Sequence, residues 1–224
     1  MSRRSALELL DDWLATGFRA RHDAAPEIGA VEAPAAPPPD RPAALDAVAA
    51  EVAACTRCQL SMNRTRTVPG EGSHDPPVLF VGEGPGEEED RTGRPFVGAA
   101  GKYLDKWIVA AGLDRGRCFI ANCVKCRPPQ NREPHPDELS ACLPYLERQI
   151  AALAPRIIVC LGRIAAQTLL GTTTGVGALR ATVHDWKGIP LVATYHPSAV
   201  LRDQSLRAAV WEDLKRLKGL LENG

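Results

Sequence analysis

The chain has no apolar run near the roughly 20 residues that a membrane helix requires. Its N-terminus offers neither an apolar signal core nor an Arg/Ser-rich, acid-poor transit composition, so a cytoplasmic protein with no membrane partner is expected. Net charge is missing too: 27 Lys and Arg stand against 27 Asp and Glu. The balance is uneven, with 5 basic and 9 acidic residues in 1–54 and 22 basic and 18 acidic residues in 55–224. Such a mildly basic core permits a polyanion partner without requiring one, because phosphate binding depends on positive charge gathered on one face. Two phosphate-cradling signatures are also absent. The stretch GEGPG at 82–86 lacks GxGxxG spacing, and GAAGKY at 98–103 lacks the span and the Ser/Thr of a P-loop. The acidic run Glu87, Glu88, Glu89 and Asp90 would repel a bare triphosphate, although one or two such carboxylates suit a helix N-terminus. The seven cysteines are odd in number and no export signal accompanies them, which favours metal or redox chemistry over disulfides.

What is present is enough for one well-buried domain plus an appendage in 224 residues. Residues 5–15, SALELLDDWLA, place Leu7, Leu10 and Leu14 on one side of a short amphipathic helix. From 24 to 44 Pro and Ala are so frequent that an extended linker is expected, and the folded domain is expected from about Leu45. The division is therefore 1–45 for the appendage and 46–224 for the domain. Four apolar runs rich in β-branched residues follow, VLFVG (78–82), CFIANCV (118–124), IIVCLG (157–162) and LVATYHPS (191–198), and helical segments alternate with them. That alternation predicts an α/β domain, three layers deep, with a central and mostly parallel four-stranded sheet covered on both faces. Glu83, Asn122 and His196 then fall at the carboxyl ends of strands, where open α/β sheets place their ligand sites.

Among the cysteines, Cys55 and Cys58 form a CxxC pair, while Cys123, Cys126 and Cys142 lie far along the chain. Two close ligands and two distant ones suit a four-cysteine site, and spacing alone leaves zinc and an iron-sulfur cluster both open. Cys118 and Cys160 sit in apolar strand patterns and read as buried structural thiols. Of Cys123 and Cys126 one is spare, the first lying in a strand and the second in the loop after it.

Four segments taken together, VGEGPGEEEDRTGRPFVGAAGKYLD, ANCVKCRPPQNREPHPDE, the later Ala141-Cys142 and TYHPSAVLR, resemble in order and spacing the family 4 uracil-DNA glycosylases. The resemblance covers about residues 46–220 and leaves the N-terminal extension without a role. It implies a uracil-DNA glycosylase-like fold and a 4Fe-4S cluster held by Cys55, Cys58, Cys126 and Cys142, with a structural task. It further implies a monomer that acts on uracil in single- or double-stranded DNA.

An enzyme of that kind flips the base out of the stack, reads its Watson-Crick edge and stabilises the departing anion. Phe96 offers a face for the ring, and Asn122 an amide that can accept from N3–H and donate to O4. His196 can donate to O2 as charge develops there. Gly84 and Pro85 allow the backbone close to the base, and Glu89 is expected to crowd its C5 edge. Glu83 is the candidate for positioning water and for stabilising positive charge at C1′. Better-known members of the superfamily carry an Asp directly after the residue equivalent to Glu83, whereas this chain has Gly84. Ser198, Leu201 and Arg202 are expected on the DNA, Leu201 as a wedge and Arg202 on phosphate.

Overall fold

The computed structural model describes residues 37–223, so the expected helix at 5–15 and most of the Pro/Ala linker lie outside the described residues. Helix α1 spans Arg41–Ala54, with the Asp40 carboxylate capping it through Ala43 N–H at 3.0 Å. It begins four residues before Leu45, so 41–44 are helical and not part of a linker. A Pro at 42, the second helical position, loses no intrahelical hydrogen bond, which is how a Pro-rich run can open a helix.

Six strands form one sheet: β1 (Glu71–Gly72), β2 (Val78–Gly82), β3 (Phe119–Asn122), β4 (Ile157–Leu161), β5 (Val183–Trp186) and β6 (Ile189–Thr194), in the order β1-β3-β2-β4-β6-β5. The four expected strands, β3-β2-β4-β6, are parallel throughout, and β1 and β5 add antiparallel edges. The edges escape pattern reading for local reasons. β1 is two residues long, and β5 carries His184 and Asp185 on an incompletely buried edge, joined to β6 by a tight turn with Lys187 at φ 49° and Gly188 at φ 86°.

Seven helices follow α1 among the described residues: α2 (Glu87–Thr92), α3 (Ala99–Ala110), α4 (Pro136–Leu153), α5 (Arg163–Leu170), α6 (Val176–Leu179), α7 (Pro197–Arg202) and α8 (Arg207–Asn223). Alternate residues of each central strand face opposite layers. Leu79, Val81, Ile158 and Cys160 pack with Leu146, Ile150, Ala165 and Leu169 of α4 and α5. Val78, Phe80, Ile157 and Val159 pack with Leu104, Ile108, Val210 and Leu214 of α3 and α8. The strands are apolar on both faces because helices cover both. A smaller cluster joins Val48 and Val52 of α1 to Leu60, Val124 and Tyr145, and it contains Cys126 and Cys142.

Candidate functional site

The parallel register brings the expected site together. Gly82 at the end of β2 pairs with Asn122 at the end of β3, so Glu83 and the Asn122 side chain leave the sheet at the same edge. A Cβ at Gly82 would strike both Asn122 Oδ1 and the Phe96 ring, so this glycine is the floor between amide and ring, and no larger residue fits. Asn122 is 1% exposed, yet its Oδ1 has no hydrogen-bond partner. Leaving a buried acceptor unmade costs about 1–3 kcal/mol, and a site that keeps one has a use for it.

Phe96 is buried in the loop before α3 and holds φ at 52°, a left-handed conformation unusual for an aromatic residue. Two contacts hold it there. Gly101 on the first turn of α3 lies so close that any Cβ would collide with the Phe96 backbone. Glu89 supplies the second: its Oε1 accepts from Val97 N–H and Gly98 N–H, both at 2.9 Å, and its Oε2 from Gly86 N–H at 3.1 Å. Glu89, expected to crowd the C5 edge, has a structural part in this arrangement. Both of its oxygens are engaged by backbone N–H groups, and the residue ties the GEGPG turn to the Phe96 loop. The rest of the acidic run is also accounted for. Glu88 pairs with Arg91 at 2.6 Å, Glu87 faces Arg127 at 3.7 Å, and buried Asp90 accepts from Thr65 N–H at 2.9 Å.

His196 lies two residues past β6 and caps α7. Its Nδ1 accepts from Ser198 N–H at 3.1 Å and contacts Ser198 Oγ at 2.8 Å. An amide can only donate, so Nδ1 is the acceptor and the ring proton sits on Nε2. Burial pushes the imidazole down to about 4, with Arg202 adding to the shift, so the ring is neutral at physiological pH. Its centroid is 5.7 Å from that of Phe96. Gly162, after β4, has φ 95° and would place a Cβ 3.0 Å from His196 Cβ, so it too makes room for the site. Ser198, expected on DNA, spends its hydroxyl on the histidine. Leu201 at 41% and Arg202 remain exposed on α7.

Glu83 is half-buried, and desolvation raises its carboxyl to about 7; Glu133 adds to the rise and Arg163 opposes it. Glu133 and Arg163 form an ion pair beside it. Neither residue, nor Gly162, is marked by local sequence pattern, because each acts through a partner distant in the chain or through backbone geometry.

The cysteines form a second site, under α1 and α4. Cys55, Cys58, Cys126 and Cys142 line one pocket together with Arg64 and Tyr145. Cys123 points into the main core beside Ala121 and Cys160, which separates it from that pocket. Among the described residues no group of three or more His, Cys, Asp or Glu side chains is arranged to hold a single metal ion. The donor chemistry of the pocket fits an iron-sulfur cluster. Four thiols face one space, Arg64 Nη1 donates to Cys126 Sγ at 3.2 Å, and Lys125 N–H donates to Cys142 Sγ at 3.3 Å. Burial pushes the Cys142 thiol up to about 11 and raises Cys126 as well, so thiolates here need a bound cationic centre.

A sheet edge that gathers an amide oxygen without a protein partner, a strained aromatic from the neighbouring loop and a neutral imidazole suits capture of a planar, polar ring. Residues 69–215, which include all of these groups, match the Uracil DNA glycosylase superfamily. A type-4 uracil-DNA glycosylase of Sulfurisphaera tokodaii is 44% identical over 79% of this chain and 84% of its own length. Proteins of the same description from Archaeoglobus fulgidus and Thermotoga maritima are 41% and 43% identical, over 77% and 80% of this chain and 91% and 95% of their own lengths. The chain belongs to the type-4 uracil-DNA glycosylase family.

Proposed function

We propose that the protein removes uracil from DNA by hydrolysing the N-glycosidic bond, leaving an abasic site. The unpartnered Asn122 Oδ1, set against the Phe96 ring across Gly82, is the observation that carries this reading. A flipped uracil stacks on Phe96 with Gly84 and Pro85 beside it, gives its N3–H to Asn122 Oδ1 and receives Asn122 Nδ2–H at O4. As the C1′–N1 bond breaks, its electron pair passes into the uracil ring and O2 becomes anionic. Nε2–H of His196 donates to O2 and holds that charge without a proton transfer. The sugar is left as an oxocarbenium ion. Glu83 faces that charge, orients a water and accepts its proton as the new C1′–O bond forms. Leu201 fills the gap left by the flipped base and Arg202 contacts phosphate. The cluster held by Cys55, Cys58, Cys126 and Cys142 has a structural task, tying α1 and the loop after β3 to α4. The protein acts as a monomer in the cytoplasm, on single- or double-stranded DNA, and the catalytic domain begins with α1 at Arg41.

The assay is release of uracil from a labelled oligonucleotide, read as alkali-labile strand breaks, with the full chain and with a chain lacking residues 1–36. Abasic product from both is expected. A covalent protein–DNA adduct or no reaction from the full chain would refute the reading, and loss confined to the shortened chain would refute the domain assignment.

Glu83 sets a pH dependence. With its carboxyl at about 7, lowering the pH protonates the water-activating group, so kcat/KM is expected to fall about tenfold per unit below that value and to level off above it. His196, already neutral down to about 4, contributes no limb in this range. Glu83→Gln should lower the plateau and remove the acid limb. An unchanged limb in that variant would assign it to another group.

The cysteine site makes a separate prediction. The purified protein is expected to be yellow-brown with broad visible absorbance, lost in Cys126→Ala and kept in Cys160→Ala, because Cys160 is packed in the main core. A colourless, zinc-containing and active wild type would remove the cluster.

A further inference from the structure

Lys125 is 1% exposed. A buried amine is costly unless its protons are matched, and here they are given to neutral oxygens in place of a carboxylate. Nζ donates to the backbone carbonyl of Asn122 at 2.9 Å and to Gln149 Oε1 at 2.6 Å. Gln149, itself buried on α4, returns Nε2–H to the carbonyl of Pro69 at 2.8 Å. The backbone of Lys125 is anchored as well: its carbonyl accepts from Val68 N–H at 2.8 Å and its N–H donates to Cys142 Sγ at 3.3 Å. One side chain therefore grips the peptide of the residue whose amide lines the pocket, and braces it against α4 and the segment before β1.

The geometry points to Lys125 as a positioning residue that orients the Asn122 amide toward the base edge by holding the Asn122 carbonyl. This rests on the reading of Asn122 given above. The N–H side of this peptide, at Cys123, donates to Gly82 O at 2.9 Å, and Lys125 holds its carbonyl side at 2.9 Å, so the strand-end peptide is fixed from both sides and removal of Nζ frees one of them. Misplacement of a recognition group by about 1 Å can cost on the order of 10²-fold in rate.

The test is a double-mutant cycle in the full-length protein as purified, combining Lys125→Met with Asn122→Ala. Three quantities are measured: single-turnover excision of uracil, inhibition by free uracil, and affinity for an oligonucleotide carrying an abasic site. Lys125→Met is expected to slow excision by up to about 10²-fold and to weaken inhibition by free uracil by a similar factor, with abasic-DNA affinity unchanged. In the Asn122→Ala background it should add almost nothing, because both changes act through one amide. Full additivity, or an equal loss of abasic-DNA affinity, would overturn the proposal. A wild type that releases no uracil would refute the functional reading instead. Should Lys125→Met not fold, Gln149→Leu removes the second acceptor of Nζ and enters the same cycle, with the same two outcomes deciding.

Discussion

Asn122→Asp is expected to abolish uracil excision, by about 10⁴-fold, the scale on which sites built to hydrogen-bond a substrate reject a mismatched partner. Asn122 sits at 1% exposure and, among the described residues, no protein group satisfies its Oδ1. Aspartate keeps an acceptor for N3–H but replaces the donor to O4 with a second acceptor, and two oxygens then oppose each other in a buried pocket. The same carboxylate can accept from the 4-amino group of cytosine, so weak cytosine excision should appear. Single-turnover cleavage of oligonucleotides carrying one U, T or C would read both changes. Wild-type uracil rates in this variant would remove Asn122 from the site.

His196→Ala is expected to slow uracil excision by about 10²- to 10³-fold, as loss of one donor aimed at developing charge does. Its consequence for specificity should be the opposite of the aspartate variant's. The imidazole meets O2, which uracil, thymine and cytosine share, so the ranking of the three bases stays the same while all rates fall. The acid limb set by Glu83 should also survive, because His196 is already neutral in that range. A changed base ranking, or a shift of the limb, would show that the histidine does something other than stabilise the leaving anion. Phe96 lies close enough, at 5.7 Å between ring centroids, for truncation of His196 to loosen its packing. Binding of abasic DNA therefore serves as the control for pocket integrity.

Much of this protein was legible along the chain because its signals are local. An apolar run of five residues such as VLFVG or IIVCL can only be a buried strand when helices flank it, and α4 follows from Pro136 at its start and apolar spacing through Leu153. The polar residues that end those runs, Glu83 and Asn122, are marked by the break in pattern itself. β5 left no such mark, since an edge strand with one open side needs no apolar alternation. The bracing part of Glu89 escaped pattern reading for a related reason. Sequence shows a carboxylate near a pocket, but not that three backbone N–H groups converge on it from Gly86, Val97 and Gly98.

By itself, then, the sequence determined the parallel α/β layering, the strand-end positions of Glu83 and Asn122, and the identity of the cysteines able to act as distant ligands. These depend on periodicity and on residue type, which a short window contains. Only the tertiary structure decided which groups meet. It set Gly82 as the floor between Asn122 and Phe96, fixed the His196 proton on Nε2 through Ser198, and separated Cys123 from the pocket that Cys126 shares. It also laid Lys125 under the Asn122 carbonyl, braced by Gln149 from 24 residues further along the chain. The physical reason is common to all of these: hydrogen-bond direction and close approach are set by the register of strands and the packing of helices, and neither is encoded at any one position.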